Sequence, residues 1–430
     1  MGAALALGVS LCVVVGVLGS PWLVDLVAPG FEGEKRDLVV RLVRILFPGI
    51  GLLVLSAWCL GILNTHRRFF LSYAAPVLWN GAIIAALVWH GGGTGDSVAV
   101  WAAWGAVVGS FLQFAVQVPT VLRVAPALTH RHAGIGDEVR EVFRRAVPAV
   151  VSRGVGQVSA YVDTLLASLL GTGAVADLTF GQTIYLLPVS LFGMSVSAAE
   201  LPSLSRDAGS GSGPDREALR ARIDAGLRQI AFFVIPSAAA MLVLGQVIAA
   251  TLLQSGRFGA DDARHVWAVI AGSAVGLLAA TQGRLYNSAF YALGDTRTPL
   301  RFALVRVTLT VVLGAVAALY GPGLLGLDPR WGTAGLTATA GCAAWIEFLL
   351  LKRELTTRIG ATGLPFVEIG KLWLLALAAA GAGWLVAARL TTGPILTGIL
   401  TLGTFGGLYL IGAAALRLPQ TRLLLGLIRR

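Results

Sequence analysis

Charged residues are scarce in this 430-residue chain: Asp, Glu, Lys and Arg make up 13% of it, against roughly 25% in soluble globular domains. Hydrophobic residues reach 56% and mean hydropathy is +0.79, which excludes a soluble fold and a disordered chain alike. Cysteine is nearly absent. Cys12, Cys59 and Cys342 are scattered inside apolar runs, too few for a disulfide framework, and no CxxC occurs. With only five His, a zinc or haem site has little to build on. No catalytic triad or metal cluster is visible, and GDTRTP at 294–299 is a turn, not a phosphate-binding loop. The chain is therefore read as a non-enzyme without a bound cofactor.

What is abundant is apolar sequence and glycine, 54 residues of it, which suits close helix–helix approach in lipid. The first thirty residues lack a basic leader and are too long for a signal-peptide core, so they read as a span. A span needs about 20 mostly apolar residues. Twelve are expected: 3–28, 39–63, 70–90, 98–122, 146–170, 178–203, 223–253, 265–292, 299–320, 332–351, 367–388 and 394–416. Pro21, Pro48, Pro188 and Pro236 fall inside them and mark expected kinks or breaks. The fold class is an all-α polytopic membrane protein.

The net charge of +11 marks loops in so apolar a chain, not a nucleic-acid partner. Arg67 and Arg68, Arg123 to Arg145, Arg206 to Arg222, Arg297 and Arg301, Lys352 to Arg358 and the arginines after residue 416 fall on alternate loops. The opposite loops hold only Lys35, Arg36, Arg257, Arg264, Arg330 and Arg389. The positive-inside rule then puts both termini in the cytoplasm. Residues 129–145 read either as a basic amphipathic helix at the lipid surface or as a solvated connector. Residues 206–216 form a Gly/Ser linker near the midpoint.

Two stretches repeat each other. GLLVLSAWCLGILNTHRRFF from Gly51 and GLLAATQGRLYNSAFYALGD from Gly276 share a start, a polar break and a turn into a new span. They lie six spans apart in the same orientation, as in transporters built from parallel repeats. Matching the spans of 223–351 onto those of 3–122 leaves 146–170 and 178–203 without partners in the first half. The expected domains are a four-span lobe over 1–122, a basic connector over 123–145, a six-span lobe over 146–355, and a terminal pair with a basic tail over 356–430.

Three segments carry a family resemblance: LFPGIGLLVLSAWCLGILNTHRRFFLSYAAPVLWN, FGQTIYLLPVSLFGMSVSAAELPSLSR, and the run from LLQSGRFGADD to ALGDTRTP. In this order they resemble the MurJ (MviN) family of lipid II flippases, within the MOP flippase/exporter superfamily. The resemblance implies fourteen spans in two six-helix lobes plus a terminal pair, of which this chain would hold the third to the fourteenth. It implies alternating access, with a lipid-linked anionic saccharide as substrate, membrane lipid as a partner, a monomer, and the cytoplasmic membrane as location. Na+ or H+ would be the coupling ion. This chain departs from the family where Thr183 stands at the position of a cavity arginine, Leu186 at that of its acidic neighbour, and Thr310 at that of a cation-site asparagine. The alternatives are an exporter of another lipid-linked saccharide or a small cation, and a scaffold without transport.

Ionisable residues inside spans are the natural site candidates, since each is expensive in lipid. Arg153, Gln157, Arg284, Asn287 and Arg44 are the expected substrate contacts, because desolvated phosphate must be matched by cations and amides. Asp163 and Thr310 are the expected ion-coupling pair. The structural readings stay open beside these: Arg153 and Arg284 packed near the cytoplasmic ends of their helices, and Asp163 as an interhelical acceptor. Arg306 reads as reaching an interface, and Glu347 as interfacial near the end of its span. Pro188, Gly193 and Pro202 make 178–203 the candidate hinge.

Overall fold

The computed structural model describes residues 2–90, 92–93, 95–125, 157, 159–194, 216–418 and 420. They are helices joined by turns, with no strand among them. Among the described residues, ten helices are long and apolar enough to cross a membrane, and one bent pair adds an eleventh. The expected span over 146–170 falls largely outside the described residues, as do the connector of 129–145 and the linker of 206–215. The chain divides into two compact units, Met1–Tyr161 and Val162–Arg430.

The first unit holds α1 (Gly2–Leu18), α2 (Ser20–Val27), α3 (Gly33–Thr65), α4 (Phe69–His90) and α5 (Gly95–Val124). The expected break at Pro21 is a real one. α1 and α2 meet at 73°, with Pro21 in the first turn of α2, where a missing N–H costs nothing. Pro48, in contrast, sits inside an unbroken α3. α3 packs on α1 and α5, whereas α4 packs on α5 and scarcely on α3.

The second unit begins within α6 (159–168) and holds α7 (Ala174–Pro188) with a π-helical turn Val189–Met194, α8 (Arg216–Leu253), α9 (Ala260–Ala292), α10 (Arg297–Leu325), α11 (Gly332–Ile359), α12 (Phe366–Arg389) and α13 (Pro394–Ala415). The repeat read from the sequence returns as packing order. α3 and α9 are both 33 residues long. Each is followed by a helix that barely touches it and packs on the next helix instead, α4 on α5 and α10 on α11. α8 packs on α9 as α1 packs on α3, and α12 and α13 pair with each other against α8.

Close crossing of α9 and α11 rests on glycine. A Cβ on Gly276 would lie 2.3 Å from the Gly341 Cα, a backbone atom that cannot swing aside. The gap lets two helices interlock through van der Waals contact, the main attraction where lipid is as apolar as the side chains. Gly276→Ala is expected to cost about 2–3 kcal/mol through overpacking, read as a lower melting temperature of the purified protein. An unchanged melting curve would refute the tight crossing.

The turn between α9 and α10 is the GDTRTP segment. Gly294 adopts φ +77°, and Asp295 caps the start of α10 by accepting from the Thr298 hydroxyl at 2.7 Å and the amides of Thr298 and Arg297. Arg358 from the end of α11 donates to the same carboxylate at 2.8 Å. The Thr298 hydroxyl and amide, then Arg358 and the Arg297 amide, hold Asp295 well below the usual carboxylate range against the opposing effect of burial. The motif is a helix cap clamped to a neighbouring helix end. Outward faces of the helices carry bare apolar side chains, such as Trp89 (87% exposed) and Ile411 (68%), as lipid-facing spans require.

Candidate functional site

In the first unit, Arg44 on α3 donates from Nε to the Ser20 hydroxyl at 2.9 Å. Ser20 is fully buried and in turn donates to the Val17 carbonyl at 2.9 Å. Arg44 thus reaches the carbonyl-rich break between α1 and α2 and has a structural partner there. Gln157 is exposed, and Arg153 lies outside the described residues.

The second unit gathers the other intramembrane charges. Arg284 lies eight residues from the end of α9 and Arg306 nine residues into α10. At 1.5 Å per residue each is roughly 12–14 Å from the turn that joins the two helices, so they share a depth. α9 and α10 stand apart above that turn, both leaning on α11. Tyr185 of α7, which packs on α9, and Phe302 of α10, one turn before Arg306, border the same apolar core.

Arg284 is exposed, and among the described residues its guanidinium makes no hydrogen bond or ion pair. One turn on, Asn287 keeps a buried Oδ1 with no hydrogen-bond partner. Two polar groups on one helix face with unused bonding capacity form a ready receptor for an anion and its hydroxylated substituents. Two polar neighbours on α9 differ from these. Gln282 is buried in the α9 core, and Tyr286 is fully buried and hydrogen-bonded to Thr362 at 3.1 Å.

Arg306 and Glu347, read separately in the sequence, meet in the structure. Phe302, Arg306 and Thr310 line one face of α10 at four-residue spacing, with buried Gly314 and Ala318 continuing it. Glu347 falls on the buried stripe of α11 formed by Ala344, Phe348, Leu351 and Leu355. Arg306 Nη1 donates to Glu347 Oε2 at 3.1 Å, and the Glu347 side chain is only 9% exposed. Beyond Glu347, α11 continues to Ile359 through Lys352, Arg353, Glu354 and Arg358, so Glu347 stands near the charged end of its span with its side chain turned to the protein interior. The signal was available: an acid at a core position of a 3.6-residue period.

Asp163 lies half-buried on α6. Thr310 is buried on α10, one turn beyond Arg306. α6 and α10 share an apolar cluster through Leu166, Ala167 and Ala318. Asp163 lies one turn and Thr310 two turns before that cluster along their parallel helices, and no hydrogen bond joins them. Pro188 ends α7, and buried Gly193 lies in the π-helical turn, where a Cβ would come within 2.8 Å of Thr281 on α9. Such turns commonly sit at functional bends. Pro202 lies outside the described residues.

A second charged cluster went unnoticed in the sequence. Arg330, in the turn Pro329–Trp331, bonds both carboxylate oxygens of buried Asp177 on α7 and Asp262 on α9 at 3.0 Å. Its parts are up to 153 residues apart. They can be recognised only once α7, α9 and the α10–α11 connection are side by side.

A sequence profile described as "Lipid II flippase MurJ" matches residues 3–406. A lipid II flippase MurJ of Burkholderia cenocepacia is 33% identical over 365 residues, covering 82% of this chain and 66% of the relative. The chain thus spans just under two thirds of that protein. A solved structure titled "Lipid II flippase MurJ, inward closed conformation" superposes with a TM-score of 0.78 at 20% identity, covering 96% of this chain and 82% of the other. An inward-facing MATE family transporter of the MOP superfamily gives 0.63 at 17% identity, covering 82% and 80%.

Proposed function

Because this chain belongs to the MurJ family of lipid II flippases, we propose that it moves a polyprenyl-pyrophosphate-linked peptidoglycan precursor across the cytoplasmic membrane by alternating access. The family is one of transporters, so its work is binding and release and no reacting atoms need be sought. The observation that carries the reading to this chain is Arg284, whose guanidinium has no hydrogen bond or ion pair among the described residues, one turn before Asn287 with its unsatisfied Oδ1. A guanidinium is the residue of choice for a desolvated pyrophosphate, which it engages bidentately. Arg153, Gln157 and Arg44 are assigned to substrate contact as well. Arg44, already bound to Ser20, contributes charge more than a free donor.

Asp163 and Thr310 are assigned to the coupling ion, Na+ or H+, which an intramembrane carboxylate without a hydrogen-bond partner can take. Pro188, Gly193 and Pro202 are assigned to bending during the transport cycle. Both termini are placed in the cytoplasm by the loop charges, and the protein acts as a monomer. The test is rescue. Expression of this chain in cells depleted of their own lipid II flippase is expected to restore growth and the exposure of lipid II on the outer leaflet. A well-expressed, membrane-inserted chain that restores neither would refute the reading.

A further inference from the structure

Pro236 stands in the middle of α8, which runs unbroken through it. A proline inside a helix has no N–H for the carbonyl four residues back, and its ring crowds that carbonyl. Here the carbonyl is that of buried Phe232, and in apolar surroundings an unpaired carbonyl is expensive. It is not left unpaired. Tyr409 of α13 donates its hydroxyl to the Phe232 carbonyl at 2.7 Å, with its own side chain buried and its ring against that of Phe232. The neighbouring Phe233 carbonyl accepts from the Ser237 hydroxyl at 2.8 Å. Two hydroxyls thus repair the helix where proline weakens it, one from α8 itself and one from another helix. Pro48, Pro76, Pro119, Pro188 and Pro322 also lie inside helices. Among the described residues, no side chain of another helix donates to the carbonyls they free.

The same turn of α8 touches the π-helical turn of α7. Phe233 stacks on Phe192 with ring centroids 4.6 Å apart and planes within 4°. Phe232 and Phe233 meet edge to face at 5.1 Å. Tyr409, Phe232, Phe233 and Phe192 therefore form one continuous line of contacts from the terminal pair to the candidate hinge.

We propose that the Pro236 turn of α8 is a second hinge, that it bends together with the π-helical turn of α7, and that Tyr409 is the positioning residue which holds both in the present conformation. When α13 withdraws its hydroxyl, the Phe232 carbonyl loses its donor and α8 bends at Pro236, as helices do at proline. Phe233 carries the movement to Phe192. Docking of the terminal pair and bending of the lobe are then one event. The inference rests on the assignment of Pro188 and Gly193 to bending and adds the element that controls them.

Hydrogen–deuterium exchange on the purified full-length protein in lipid nanodiscs reads this device without reference to transport. Tyr409→Phe removes one oxygen and keeps the ring, so the carbonyl alone is stranded. Amides at 237–240 and 189–194 are expected to exchange roughly five- to a hundredfold faster, the factor that an unsatisfied buried carbonyl implies. Pro236→Ala supplies the missing N–H, so adding Tyr409→Phe to it should leave exchange within about twofold of Pro236→Ala alone. A tyrosine that merely packed α13 on α8 would cost the same in both backgrounds. In flippase-depleted cells, Pro236→Ala is expected to lose rescue without a lower melting temperature, because α8 no longer bends.

Unchanged exchange in Tyr409→Phe overturns the proposal. Faster exchange at 237–240 with no change at 189–194 removes the link to α7. Equal acceleration with and without Pro236 makes Tyr409 a docking residue only. Full rescue by Pro236→Ala, where the unaltered chain also rescues, removes the hinge from transport. An unaltered chain that fails to rescue counts against the proposed function instead, and the exchange results then decide the hinge by themselves.

Discussion

Replacing Arg330 with alanine is expected to destabilise the second unit by about 3–5 kcal/mol, the range for removing one partner of a buried ion pair. Its side chain is 19% exposed and that of Asp177 only 2%. Removing the arginine strands a carboxylate that has no other way to be solvated. The arrangement around it is tightly determined. Asp328 accepts from the Arg330 amide at 2.8 Å and fixes the turn, and Gly173 at φ +94° leaves the space in which the guanidinium lies, 2.9 Å from where a Cβ would be. A drop in melting temperature of the purified protein checks the cost. The cause is checked by a pair of changes: Asp177→Leu with Arg330→Met should recover most of the loss, because burying two apolar side chains avoids the desolvation of two charges. Asp262 tolerates this, as its other oxygen is held by the Gly259 amide at 3.0 Å.

Arg330 and Arg306 show where sequence reading stops. Hydropathy averaged over a span locates helices well, since any segment of that composition must be buried in lipid, and the break at Pro21 and the repeat of α3 in α9 followed from local pattern alone. Pairing is another matter. Arg330 reads as one more loop cation, and its acids lie 153 and 68 residues away in sequence. Which face of a helix meets which neighbour depends on rotation about the helix axis, and a composition window carries no information on that. Glu347 is the intermediate case. Its place on the stripe Ala344, Leu351 and Leu355 was legible from period, but its partner Arg306 on α10 was not. Arg284 and Tyr286, two residues apart, take opposite roles for the same reason. One faces the open side of α9, and the other is locked in its core against Thr362.

That contrast sets the expected result for Arg284. Arg284→Ala should abolish rescue of flippase-depleted cells while leaving expression and melting temperature at wild-type levels. The guanidinium has no partner among the described residues, so deleting it strands no group among them. What it would lose is a charge-assisted contact to a desolvated phosphate, worth about 2–5 kcal/mol, or roughly 30-fold to several thousand-fold in binding. Arg284→Lys keeps the charge but gives up the planar fork that meets two phosphate oxygens at once, so partial rescue is expected. Asn287→Leu should weaken rescue less, as its unpaired Oδ1 can contribute only a neutral hydrogen bond of about 0.5–1.5 kcal/mol. Wild-type rescue by Arg284→Ala would refute the assignment, and so would a lowered melting temperature that tracked the loss of rescue. An arginine with no structural partner that could be removed at no cost to transport would have no account in either stability or function.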